Sequence, residues 1–132
     1  MKLTDDERAS GRLSDDRLAL AVRTFRDVGY VVLENVYDTA FLDEARAAYD
    51  VELDRHLAAK GGLAALKGKT FGENHIGFFP PMRGPLADER LAAPAVACQV
   101  MDILLGEDFR CSFYHTNTAC PGSGYQPVHR DT

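Results

Sequence analysis

Two apolar stripes, each cut off by glycine, constrain this chain more than anything else in it. Leu18, Ala21, Val22, Phe25 and Val28 recur at the spacing of one helix face, and Gly29 follows at once as a stop. Ser14, Asp15 and Asp16 precede that stripe as a cap and an acidic first turn. Phe41, Leu42, Ala45, Tyr49, Leu53 and Leu57 repeat the pattern, opened by Asp38 or Thr39 and stopped by Gly61-Gly62. The spacing predicts two amphipathic helices whose stripes are core. Between them, Tyr30 to Leu33 is a β-branched and aromatic run that predicts a short strand.

Outside these stripes the pattern changes character. Residues 1–13 are polar and without periodicity, which is expected of a loose leader. From Gly61 to Pro94 the chain is rich in Gly, Pro, Lys and aromatics, including Phe78-Phe79-Pro80-Pro81. A loop of that length inside a compact domain is usually functional or disordered. A third helix is expected with Pro94 in its first turn and Gly106 at its end, Cys98 being core. Phe109 to Cys120 then alternates. Phe109, Cys111, Phe113, His115 and Asn117 point one way; Arg110, Ser112, Tyr114, Thr116 and Thr118 point the other. Pro121-Gly122-Ser123-Gly124 reads as a turn and Tyr125 to Asp131 as a returning strand. Helices followed by a β-hairpin make the expected class α+β.

The 132 residues suit one domain, residues 14–132, and an apolar share of 45% is ordinary for a globular chain. The net charge of −5 is spread in both signs, and no basic run marks a nucleic-acid footprint. No apolar stretch approaches the ~18 residues of a membrane span, and the acidic opening lacks the apolar region of a secretory signal. Cys98, Cys111 and Cys120 cannot all pair and form no C-x-x-C, which fits a reduced, cytoplasmic setting.

The densest chemistry lies in the last residues. His129 and Asp131 stand two apart, so on a strand both leave the same face. An imidazole beside a carboxylate supplies two of the three ligands of a 2-His-1-carboxylate facial triad, the arrangement that keeps positions on Fe(II) open for oxygen chemistry. A structural zinc module is the rival: Cys111, His115, Cys120 and His129 are four N/S ligands, though without a tight C-x2–4-C knuckle and with Asp131 unexplained. A second rival is a non-catalytic helical binding module with an incidental H-x-D.

The stretch YHTNTACPGSGYQPVHRDT, Tyr114 to Thr132, resembles the strand, Gly/Pro turn and H-x-D of the phytanoyl-CoA dioxygenase family of Fe(II)/2-oxoglutarate-dependent oxygenases. The opening is similar too, a helix running into Asp27-Val28-Gly29-Tyr30-Val31-Val32-Leu33-Glu34-Asn35-Val36 and then a second helix near Phe41-Leu42. The resemblance covers roughly residues 15–132. It implies N-terminal helices packed on the first strands of a double-stranded β-helix, or jelly roll, with His129 as the first metal histidine and Asp131 as the metal carboxylate. It also implies Fe(II), 2-oxoglutarate and O2 as cofactor and cosubstrates, and a small organic molecule as the substrate to be hydroxylated. Because related halogenases lack the carboxylate, Asp131 implies hydroxylation rather than halogenation. On this reading His115, Asn117 and Gln126 are candidates to touch 2-oxoglutarate, and His75, Phe79 and Arg83 are candidates to meet substrate, with Phe78, Phe79 and Met82 as a lid. His56, in the second helix, is expected to be partly exposed. The family takes its second histidine and a 2-oxoglutarate-binding arginine from later strands, so the 132 residues are expected to be a truncated and by themselves inactive portion of such an enzyme.

Overall fold

A computed structural model describes residues 1–66 and 74–128. Helix α1 spans Asp5–Ser10, α2 Asp15–Val28, α3 Thr39–Lys60, α4 Glu89–Ala92 and α5 Ala95–Leu105. Short 3-10 turns occupy Leu63–Leu66 and Gly84–Ala87, and two strands, β1 at His75–Ile76 and β2 at Thr118–Ala119, pair antiparallel.

The three long helices form where the caps and stripes predict them. Gly29 and Gly61 sit in the left-handed region at φ of 86° and 83° and close α2 and α3, a conformation in which any Cβ is strained. Asp38 caps α3 by accepting from the Phe41 amide at 2.8 Å. Ser14 holds the cap position of α2 without a side-chain hydrogen bond. Pro94 precedes α5, which ends at Gly106. Only part of each stripe is core, however. Ala21, Val22, Phe41 and Ala45 are buried, whereas Phe25, Val28 and Leu42 are exposed and Cys98 is half-buried.

The first 13 residues differ from the loose leader expected of them. Thr4 and Glu7 form a reciprocal capping box that starts α1, the Glu7 amide donating to the Thr4 hydroxyl while the Thr4 amide donates to the Glu7 carboxylate. Leu3 and Leu13, each 2% exposed, join Ala21, Val22, Val96 and Val100 in one core cluster. Their burial holds both ends of α1 against the α2–α5 pair. The Leu13 amide donates to the Gln99 side chain on α5 at 3.0 Å, and Arg17 on α2 pairs with Glu7 at 2.6 Å.

Residues 30–33 are not a regular strand. The segment runs alongside residues 1–3, making a single parallel bridge between Lys2 and Glu34. Val31 and Leu33 turn toward the core and Tyr30 and Val32 toward solvent, so the alternation of a strand is kept without a full ladder.

Of the expected hairpin of 109–120 with 125–131, residues 129–131 lie outside the described residues, and among the described ones residues 118–119 pair with a different segment. The partner of β2 is β1, from the loop between α3 and α5, in the register His75↔Ala119 and Ile76↔Thr118. Two flanking bonds in the same register, Cys120 amide to Asn74 carbonyl and Thr116 amide to Phe78 carbonyl at 3.0 Å each, extend the ladder to residues 74–78 and 116–120. Burial chooses this pairing, because it puts Ile76 (1% exposed) and Phe78 against the rest of the fold.

Candidate functional site

The ladder has two unlike faces, and they follow from period two along each strand. Ile76 and Phe78 with Thr116 and Thr118 face α3. Phe78 stacks on Tyr49 and His56 at ring separations of 5.7 and 4.8 Å, and the Tyr49 hydroxyl is hydrogen-bonded to Thr118. His56, half-buried, is therefore part of an aromatic contact. Phe78 belongs to this packed face, whereas Phe79 and Met82 are exposed, so of the three lid candidates only these two lie at the surface.

The opposite face carries His75, Gly77 and Phe79 from one strand and His115 and Asn117 from the other. Four of the site candidates drawn from the sequence thus meet on one surface. The His75 ring bridges two oxygens, its Nε2 3.1 Å from the Gly124 carbonyl and its Nδ1 3.3 Å from Asn117 Oδ1. His115 meets the Phe79 ring edge-on at 4.8 Å. Gly77 makes room for it: a Cβ there would stand 2.5 Å from His115 Cε1. Asn74, at φ 56°, donates to the Gly122 carbonyl at 3.0 Å, so Asn74 and His75 together hold the 121–124 turn onto the ladder.

The remaining candidates lie elsewhere. Arg83 faces α3 and pairs with Glu52 at 2.7 Å, a carboxylate also held by Arg55. The hydrogen bond from Arg83 and then that from Arg55 keep Glu52 below its ordinary pKa. Gln126 is half-buried two residues beyond Gly124. His129 and Asp131, the proposed metal ligands, lie outside the described residues.

Among the described residues, no three of His, Cys, Asp and Glu gather as a metal site. For the zinc alternative this has a simple reason. Cys120 is in register with Asn74 on the α3 side of the ladder, His115 occupies the other side, and Cys111 is exposed with its thiol bonded to the Phe113 carbonyl at 3.2 Å. No helix among the described residues is long and apolar enough to cross a membrane.

Gly77 and Asn74 escaped the sequence reading, although a glycine between apolar strand residues signals close approach. A cavity of about 290 Å³, bounded by α1, the start of α3 and the start of α5, was equally without a signal, since its walls come from three segments far apart in the sequence, 3–11, 36–41 and 90–96. No protein-family model matches this chain, and neither a curated protein nor a solved structure matches it.

Proposed function

We propose that this chain supplies His129 and Asp131 as two ligands of an Fe(II) centre of the 2-oxoglutarate-dependent dioxygenase kind, acting on a small organic molecule. The observation that carries the reading is the H-x-D pair at the end of a segment whose preceding ladder collects His75, His115, Asn117 and Phe79 on one face. One nitrogen and one carboxylate oxygen are two of the three donors that Fe(II) takes in a facial triad. Bound with 2-oxoglutarate and O2, such a metal supplies oxidative decarboxylation to succinate coupled to hydroxylation of a C–H bond.

The roles of this chain's own residues follow from that. His129 and Asp131 hold the metal. Asn117 shares the ladder face on which His115 and Phe79 meet edge-to-face, so its side-chain N–H can serve a carboxylate oxygen there, and Gln126 is the second amide assigned that role. Arg83 is committed to Glu52 and is left out of the site. The ladder of 74–78 with 116–120 is read as the first pair of strands of a jelly roll, and the three free cysteines suit a reduced, cytoplasmic compartment.

Mn(II) titration followed by electron paramagnetic resonance tests this on the chain itself. Weak binding is expected, falling by at least about tenfold in His129→Ala and in Asp131→Ala, since even outer-shell losses cost that much. Binding of Zn(II) that survives Asp131→Ala but is lost in Cys111→Ser would overturn the reading in favour of the zinc module.

A further inference from the structure

The cavity bounded by α1, α3 and α5 lies apart from the ladder and has a lining of mixed character. Leu3, Val36, Phe41 and Val96 form an apolar floor, and the guanidinium groups of Arg8 and Arg90 stand in its wall. Its volume of about 290 Å³ is at the small end for ligand pockets, which run from roughly 300 Å³ upward.

We propose that this cavity binds a small monocarboxylate with an apolar body. The lining itself sets two arginines against one carboxylate, Asp38, whose Oδ1 already accepts from the Phe41 amide; the acidic partners of the arginines, Asp5 and Asp88, lie outside the lining. Arg8 is the anchor. Its Nη1 donates at 2.8 Å to Asn35, a neutral acceptor, and its acidic neighbour Asp5 stands 3.3 Å away with a side chain 85% exposed. So solvated a partner compensates little of the Arg8 charge.

Arg90 plays a different part. Its Nε and Nη2 donate to Asp88 at 2.9 and 2.7 Å, and its Cζ lies over the Phe41 ring, 4.0 Å from the ring centre. It thus forms a cationic shelf continuous with the apolar floor. The first turn of α5, which borders the cavity, has neither an acidic residue nor a side-chain cap, and its partial positive charge adds to the same field. A carboxylate meeting Arg8 lays its carbon body over Leu3, Val36 and Phe41. A cation would meet two arginines, and an alcohol would forgo the charge-assisted bond.

Phenylacetate and its uncharged isostere 2-phenylethanol are the probes, titrated into the ¹⁵N-labelled chain and followed by amide shifts. Phenylacetate is expected to move resonances of residues 36–41 and 95–96 saturably and to bind at least about tenfold more tightly than the alcohol. Arg8→Gln should lose about tenfold or more, Arg8→Lys should retain most of the affinity through its charge, and Arg23→Gln, distant on α2, should behave as the parent. Equal binding of acid and alcohol, absence of saturable shifts, or parental affinity in a folded Arg8→Gln would each overturn the proposal. Should Arg8→Gln fail to fold through loss of the Asn35 contact, the acid–alcohol pair and Arg8→Lys decide it.

Discussion

Glu7 shows how much one side chain can hold together. Its carboxylate caps α1 through the Thr4 amide at 2.9 Å and pairs with Arg17 on α2 at 2.6 Å, while the residue itself is 8% exposed. The hydrogen bond from the Thr4 amide, ahead of the contributions from Arg17, depresses its pKa below 4.5, outweighing the opposing effect of burial. A carboxyl depressed in the folded state contributes stability that is present above its unfolded pKa and lost as pH falls through the folded one. Lowering the pH from 5 toward 3, on the order of the ordinary carboxylate range, should therefore loosen α1 first. Glu7→Gln should remove that part of the acid sensitivity. Amide hydrogen exchange of residues 5–13 across the pH series measures it, and identical profiles in parent and variant would refute it.

At the scale of elements, local signals were legible and distant ones were not. Asp38, Gly29, Gly61 and Pro94 each act within a few residues of themselves, so the ends of α2, α3 and α5 could be read directly. Thr4 and Glu7 were also legible as a capping box, but α1 is six residues long and has no periodic stripe to draw attention to it. The partner of β2 was illegible because both alternatives satisfy the alternation of 116–120. What separates them is burial of Ile76 and Phe78 against α3, which no local window contains. For the candidate site, the residue types were readable while their company was not: His75 and Asn117 are 42 positions apart yet 3.3 Å from one another. Gly77→Ala tests this arrangement. The new methyl group must displace the His115 ring, at an expected cost of about 1–3 kcal/mol for overpacking. Urea denaturation measures that cost, and the His115 ring resonances should shift as it moves. A variant with parental stability and unmoved His115 signals would show that the ladder faces are assigned wrongly.

Across the whole molecule, the first 13 residues are a working part of the core. Leu3 and Leu13 belong to the cluster that joins α2 and α5, and Met1 packs against it. Removing residues 1–13 takes two nearly fully buried leucines from a small core, where each such side chain is worth roughly 2–5 kcal/mol. The shortened chain should melt far below the parent or remain unfolded, with circular dichroism as the readout. An unchanged melting temperature would restore the view of this segment as a leader.

The register of β1 with β2 also bears on the order in which the chain assembles. Contacts within α2, α3 and α5 span a few residues each, but the ladder joins His75 to Ala119 across two 3-10 and helical turns and the whole of α5. Closing a loop of that length costs conformational entropy before any contact repays it, and topology of this kind slows the last steps of folding. Helical signal should therefore appear ahead of the burial of Tyr49 beside Phe78. The face bearing His75 and His115 would be the last surface to acquire its shape and the first to lose it.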